Sequence, residues 1–171
     1  EKVYVPELIF GHLLTGSNFE DDNDNKRVVG GKNGYGAKLT NIYSTKFEIE
    51  VLNTNNKKIY TQLFENNMYK KSEPIIKKSS LKVGYTQISF IPDYKRFGCK
   101  GLSEDMFLLF KKRTYDIAGT TTIANKLKVY FNDELLNINS FEDYIKMFYD
   151  GEIPPTVYQD VNDRWSVGVL F

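Results

Sequence analysis

The sequence predicts an α+β fold, and three observations support this class. Apolar and polar side chains alternate at residues 47–51, which is typical of a strand with one buried face. The turn-forming residues 53–56 separate this strand from a second apolar run at 59–64, and this spacing predicts a β-hairpin. Pro6 suits the first turn of a helix and precedes a run of apolar residues.

The composition is that of a globular domain with a large core. The chain has 171 residues, of which 41% are hydrophobic, with 12 Tyr and 12 Phe. Its 23 Lys and Arg nearly balance 22 Asp and Glu, and a net charge of +1 argues against a polybasic nucleic-acid-binding protein. Cys99 is the single cysteine, which excludes an internal disulfide. The sequence shows neither a membrane-spanning apolar run nor a signal-peptide pattern.

In the first half of the chain we expect one buried helix and a polar edge. The helix covers residues 6–14, whose apolar side chains surround most of its circumference. His12, the only histidine, has no partner set for a metal site, so we interpret it as a structural or surface residue. Residues 70–82 are polar and rich in lysine, which predicts a solvated loop or an edge strand.

A threonine on the strand predicted at residues 85–90 is a candidate site residue. Thr86 shares a face with Ile88 and Phe90, so its hydroxyl is expected to point inward. A buried hydroxyl needs a hydrogen-bond partner, which is either a backbone carbonyl or a ligand.

A second helix begins after Ser103, which is a favoured N-cap residue. Glu104 and Asp105 place negative charge in its first turn, where the helix dipole favours it. The basic residues 111–113 are interpreted as a solvated helix face rather than a DNA site. The predicted buried stripe of this helix consists of Met106, Leu109 and Phe110.

The last third of the chain combines short strands with a third helix. A strand is predicted at residues 126–131, and Ser140 with Asp143 has the form of a helix cap. Alternating apolar residues at 165–171 predict a half-buried strand. Because the chain starts without Met and stops within this strand pattern, we expect it to be a fragment of a longer protein.

The strongest functional signal is the glycine loop, residues 30–38, which reads Gly-Gly-Lys-Asn-Gly-Tyr-Gly-Ala-Lys. Its glycines permit tight and left-handed backbone conformations. A short helix should follow, with a buried stripe of Leu39, Ile42 and Tyr43. A glycine loop at a helix start directs unpaired N–H groups and the positive end of the dipole at one point, where polyphosphate binds. Lys32 and Lys38 add positive charge.

Two common phosphate-binding motifs do not fit this loop. Ala37 occupies the position of the Walker lysine, and Leu39 occupies that of the third dinucleotide-binding glycine. The acidic polar residues 20–25 precede the loop in place of a strand. A glycine-rich surface turn without a ligand therefore stays an alternative, although the helix start directly after the loop favours phosphate binding.

Three segments carry a resemblance to a known family. Residues 4–11, 13–18 and 30–38 resemble the ATPase region of eukaryotic-type DNA topoisomerase II, within the GHKL ATPases. Later segments agree with it, at residues 66–68, 72–73, 85–86, 112–119 and 164–165. The resemblance thus extends over nearly the whole chain.

The resemblance implies a GHKL (Bergerat-type) two-layer sandwich of helices on a mixed, mostly antiparallel sheet. Residues 1–131 would form the C-terminal part of the ATP-binding domain, and residues 132–171 the beginning of a transducer domain. Residues 19–27 would belong to the lid that folds over the nucleotide.

The resemblance also implies which residues contact ATP. Matching residues contact the sugar and adenine at Gly16, Ser17 and Asn18, although Gly16 stands where serine is common and offers only its backbone. Thr86 would lie near the adenine. The catalytic glutamate and the asparagine that holds Mg²⁺ match positions upstream of Glu1, so no catalytic or metal residue is assigned and the chain alone is expected to be inactive. The remaining contacts fall on Gly31, Lys32, Asn33, Gly34, Tyr35, Gly36, Ala37 and Lys38.

The function implied by the resemblance is ATP binding that drives N-gate dimerisation and DNA strand passage. The parent enzyme would be a homodimer in the nucleus, and it would be the full-length enzyme that contacts DNA. A non-catalytic GHKL-like nucleotide- or partner-binding module is the main alternative. A module that contacts DNA through residues 70–82 or 111–113 is a third reading.

Overall fold

The computed structural model describes residues 2–16, 31, 33–125, 127–152, 155–162 and 165–170. The chain divides into two compact units, Glu1–Lys100 and Gly101–Phe171. The predicted domain boundary after residue 131 lies inside the second unit and stays a prediction. None of the helices in the described ranges is long and apolar enough to cross a membrane.

The first unit is built on an antiparallel five-stranded sheet. Strand β1 (Ser44–Asn53) pairs with β2 (Lys58–Glu65) on one side and with β5 (Tyr85–Pro92) on the other. The short strands β3 (Lys70–Lys71) and β4 (Ile75–Lys78) both pair with β2 and form the opposite edge. The predicted hairpin and the predicted edge strand are therefore confirmed. Every strand pair in the described residues is antiparallel.

The core of this unit lies on one face of β1 and β2. Every second residue of each strand points to this face, which explains the alternation in the sequence. Phe10 packs its ring onto Phe47 with the ring centroids 6.1 Å apart. Burying each large apolar side chain here contributes about 1.5–3 kcal/mol. The core residues, all at most 7% exposed, are Phe47, Ile49, Tyr60 and Phe64.

Helix α1 (Val5–Gly11) is shorter and more exposed than the sequence predicts. Its only buried residue is Glu7, and Ile9 is 45% exposed. Leu14 has φ +60°, a left-handed conformation that a helix cannot continue through. The expectation of a largely buried helix over residues 6–14 is wrong, because α1 contacts the sheet through one side only.

Helix α2 (Gly36–Ile42) follows the glycine loop as predicted, but it presents a different face to the protein. Leu39 is 44% exposed and Tyr43 is 39% exposed, so the predicted apolar stripe is wrong. The buried residues are Lys38 and Asn41. Both have hydrogen-bond partners, which removes much of the cost of burying a polar side chain.

The second unit contains a long helix, a short helix and two hairpins. Ser103 and Ser140 cap the helices as predicted, since their Oγ atoms accept hydrogen bonds from the N–H groups of Met106 and Asp143. The strand predicted near the end of the chain is also present, and it pairs antiparallel with the strand before it. The elements are α3 (Glu104–Asn125), β6 (Tyr130–Phe131), β7 (Glu134–Leu135), α4 (Phe141–Lys146), β8 (Thr156–Asn162) and β9 (Trp165–Leu170).

Two glycines mark close contacts in this unit. A Cβ at Gly119 in α3 would overlap the ring of Tyr144 in α4, and one at Gly168 in β9 would overlap Ile145. The packed face of β9 is therefore the one that carries Gly168. The predicted stripe of α3 is wrong, because 42–46% of each residue is exposed at Met106, Leu109 and Phe110.

Candidate functional site

The glycine loop forms a left-handed turn that packs against the chain after α1. Gly34 has φ +66°, which glycine adopts without steric cost. A Cβ added there would lie 3.1 Å from the backbone N of Gly16 and 3.2 Å from its Cα. A side chain at residue 34 would thus press on the backbone of residue 16. The structure therefore brings together two of the segments that the sequence analysis singled out.

The start of α2 leaves backbone N–H groups open to a ligand. Tyr35 precedes the helix with φ −86° and ψ −31° and offers no side-chain cap. The N–H of Leu39 donates to the carbonyl of Tyr35 at 2.8 Å. Within the described part of the chain, the N–H groups of Gly36, Ala37 and Lys38 donate to no acceptor. Such amides carry partial positive charge, so the turn has the chemistry of an anion site.

Lys38 places a buried ammonium group beside this turn. The residue is only 4% exposed, and its Nζ donates a hydrogen bond of 2.7 Å to the carbonyl of Gly34. Burial lowers the pKa of Lys38, because removal from water disfavours the charged form. A partly dehydrated ammonium gains more from an incoming anion than a hydrated one does. Lys38 therefore both closes the turn and supplies positive charge to it.

Side chain–backbone hydrogen bonds fix the end of α1 and the residues directly after it. The Oγ1 of Thr15 lies 3.0 Å from the carbonyl O of Leu8 and 3.2 Å from that of His12. The Nδ2 of Asn41 donates to the carbonyl of Phe10 at 3.1 Å and thereby links α2 to α1. These bonds hold the segment after α1 beside the glycine loop.

A buried carboxylate anchors α1 to the sheet. Glu7 accepts hydrogen bonds from the Nζ of Lys71 at 2.5 Å and from the Nε2 of Gln62 at 3.1 Å. The Nε2 of His12 lies 3.5 Å from Glu7, which agrees with a structural role for this histidine. The hydroxyl of Tyr60 donates to the Oε1 of Gln62 and completes the network.

The network keeps Glu7 ionised although it is only 4% exposed. Burial alone raises the pKa of Glu7, but the hydrogen bonds from Lys71 and Gln62 and the charge of Lys71 outweigh it, so the pKa lies below its ordinary value. Burial, with the negative charge of Glu7, raises the pKa of Tyr60. Glu7 is therefore charged and Tyr60 neutral at physiological pH.

Apart from Thr86, the predicted site residues fall into three groups. Gly16, Gly34 and Lys38 meet in space. Ser17, Asn18, Lys32 and the predicted lid at residues 19–27 lie outside the described residues. The remaining loop residues are exposed on the same turn, and they are Gly31, Asn33, Tyr35, Gly36 and Ala37.

Thr86 is exposed, so the prediction of a buried hydroxyl is wrong. The face itself is as predicted, since Thr86 pairs with Val51 on the side of the sheet that carries Ile88. The N–H of Asp93 donates to the carbonyl of Tyr43, which places α2 at the far end of β5. Within the first unit, α2 therefore lies away from the Thr86 end of the strand, and the contact of Thr86 with adenine stays a prediction.

The sequence analysis missed the polar anchors of this region. Gln62 lies between Tyr60 and Phe64 on the buried face of β2, and a polar residue at such a position signals a buried partner. No comparable signal marks Glu7, because its partners are far away in the sequence. Among the described residues, no three His, Cys, Asp or Glu side chains come together as a metal site.

We expect substitution of Lys71 to destabilise the first unit more than substitution of its neighbour Lys70. Lys71→Met leaves the buried Glu7 without its cationic partner and should lower the free energy of unfolding by about 1–3 kcal/mol. Lys70→Met removes an exposed ion pair with Glu65 and should lower the free energy of unfolding much less, because water screens such a pair. Urea denaturation of both variants measures the difference. Equal losses would contradict a structural role for the Glu7 network.

Comparison with known proteins gives a consistent result, although no protein-family model matches the chain. The chain is 47% identical over 170 residues to a probable DNA topoisomerase 2 of Dictyostelium discoideum. It is also 47% identical over 171 residues to the DNA topoisomerase 2 of Acanthamoeba polyphaga mimivirus. These matches cover 98% and 99% of this chain but only 11% and 13% of the relatives. The chain thus spans about an eighth of their length or less.

A solved structure extends the similarity to the fold. The ATPase region of Saccharomyces cerevisiae topoisomerase II is 42% identical and superimposes with a TM-score of 0.86. The match covers 97% of this chain and 43% of that structure. The predicted α+β class, with helices on an antiparallel sheet, is confirmed, and so is the resemblance from which the two-layer GHKL architecture was expected.

Proposed function

We propose, from the premise that this chain is a homologue of the ATPase region of DNA topoisomerase II, that it forms the glycine-rich part of an ATP-binding site. One observation carries the proposal. The left-handed turn at Gly34 lies directly against the backbone of Gly16. Two segments assigned to the same nucleotide thus meet where open amides and the buried ammonium of Lys38 lie together.

The available interactions suffice for useful affinity. A hydrogen bond to a charged group contributes about 1.5–3 kcal/mol, and micromolar binding needs about 8 kcal/mol. Three amides at the start of α2 and the ammonium of Lys38 are four such donors. If the triphosphate of ATP binds these four donors, its adenosine would lie toward Gly16 and the residues that follow Gly16. Ser17, Asn18 and Lys32 would complete the contacts, as the resemblance implies.

For the whole enzyme, the proposal follows the family. ATP bound at this site would drive dimerisation of the N-gate in a nuclear homodimer, and the dimer would pass one DNA duplex through another. Residues 19–27 would act as the lid over the nucleotide. The Mg²⁺ ligand and the catalytic glutamate would come from segments upstream of residue 1, so no residue of this chain is assigned to either role.

The first prediction of this proposal concerns Gly34. In Gly34→Ala, a Cβ presses on Gly16 and the left-handed turn is strained, so the affinity for an unhydrolysable ATP analogue should fall at least tenfold, or about 1.4 kcal/mol. Gly98→Ala is the matched control, because Gly98 also has a positive φ but has open space around its Cβ position. Calorimetric titration of both variants, after a thermal melt that verifies folding, makes the comparison. The same loss in both variants would refute a specific role for the loop.

The second prediction concerns catalysis. The chain alone should release no phosphate from ATP above the rate of the buffer blank, because the proposed catalytic glutamate is not among its residues. A coupled phosphate-release assay measures this on a sample whose binding of the analogue has been verified. Turnover that Gly34→Ala removes would place the catalytic group within this chain and overturn the assignment.

A further inference from the structure

We propose that the β2–β4 edge of the first unit is a binding surface for the phosphate backbone of duplex DNA. The surface is formed by five exposed lysines at one end of the sheet, called here the lysine edge: Lys57, Lys58, Lys77, Lys78 and Lys82. The inference deepens the proposed function, because it names a DNA contact within a homologue of a DNA-strand-passing enzyme.

Charge is segregated strongly at this edge. Residues 51–64 and 74–84 contain these five lysines and no Asp or Glu. The rest of the chain therefore holds 18 Lys and Arg against 22 Asp and Glu, although the net charge of the whole is only +1. A near-neutral protein thus carries a concentration of positive charge at one end of this sheet, while the rest of the chain has a negative balance. A polyanion would be attracted to the positive end.

The strand register concentrates the charge further. Lys58 stands directly opposite Lys78 in the β2–β4 ladder, so their side chains leave the same face of the sheet. Like charges placed opposite each other in a sheet are destabilising unless an anion lies between them. Among the described residues, no carboxylate pairs with either lysine.

The turn and the loop beside this ladder are held together by backbone bonds. The N–H of Ser79 donates to the carbonyl of Lys57 at 2.8 Å, and Lys57 itself has φ +52°. The side chain of Asn53 accepts from the N–H of Asn55 and orders the turn. Lys, Asn and Ser side chains are among those that contact the phosphate oxygens of DNA.

Another explanation for lysine on an edge strand is protection against pairing with a second sheet. A single lysine facing outward from β4 would serve that purpose. The charge at the lysine edge also extends into the turn at Lys57 and the loop at Lys82, where no ladder is open to pairing. The distribution favours an anionic ligand that spans the end of the sheet.

The test compares two double variants with the same change in net charge. Lys58→Ser with Lys78→Ser removes two lysines of the edge, whereas Lys46→Ser with Lys70→Ser removes two lysines that already pair with Glu48 and Glu65. Fluorescence anisotropy with a 20-bp duplex, from about 0.05 to 0.2 M salt, measures affinity and its salt slope. Circular dichroism verifies that both variants are folded.

The lysine-edge variant should bind DNA at least tenfold more weakly at about 0.1 M salt, with a salt slope smaller by about 2, and the control should stay close to wild type. Equal losses in both variants, or no DNA binding by the wild-type chain, would overturn the proposal. Tighter binding to phosphatidylserine vesicles than to DNA would indicate that the lysine edge binds a membrane surface, and this result would also refute the proposal. Affinity for the ATP analogue should be unchanged in all of these variants. A failure of the DNA-binding proposal can therefore be distinguished from a failure of the proposed ATP site at the glycine loop.

Discussion

The close approach between the turn at Gly34 and the backbone at Gly16 governs the arrangement of the first unit. It requires a left-handed residue without a side chain in the loop and a fixed path for the chain after α1. Asn41 meets the second requirement from α2, and Lys38 holds the turn itself. Among the described residues, the amides at the start of α2 donate to no acceptor, so they are available to an anion.

Directional polar bonds, rather than apolar burial alone, hold the two short helices on the sheet. Apolar contacts tolerate sliding and rotation, whereas the bonds of Glu7 and Asn41 fix one register for each helix. Burying a carboxylate is costly, and the cost is offset only because Lys71 and Gln62 both donate to it. The proposed triphosphate site would benefit from such rigidity, because binding groups must be held in a precise geometry.

The strands and helix starts could be predicted from the sequence, because the signals for them are local. The alternation in β1, the turn before β2, and the caps at Ser103 and Ser140 depend on residues within a few positions of each other. The buried faces of α1 and α2 could not be predicted in this way. Leu39 and Tyr43 have the spacing of a buried stripe, yet the helix turns Lys38 and Asn41 inward. Lys38 closes back onto Gly34 of the same loop, whereas the partner of Asn41 is Phe10, which lies in another segment of the fold.

The candidate site shows the same difference between features set by nearby residues and features set by distant ones. The glycine loop was found from composition and resemblance, but its contact with Gly16 depends on the path of α1, which only the structure shows. Thr86 illustrates the opposite case, since its face follows from the strand period while its exposure depends on what covers the sheet. The lysine edge arises in a similar way, from a strand register that brings Lys58 and Lys78 opposite each other.

The central claim is that the N–H groups at the start of α2 receive the phosphates of ATP. Two-dimensional ¹⁵N–¹H NMR during titration with an unhydrolysable ATP analogue tests it most directly. The largest chemical-shift changes should occur at the backbone amides of Gly34, Gly36, Ala37 and Lys38. All four resonances should follow the same saturation curve. Amides of the glycine loop that stay unshifted while the analogue binds elsewhere would contradict the account.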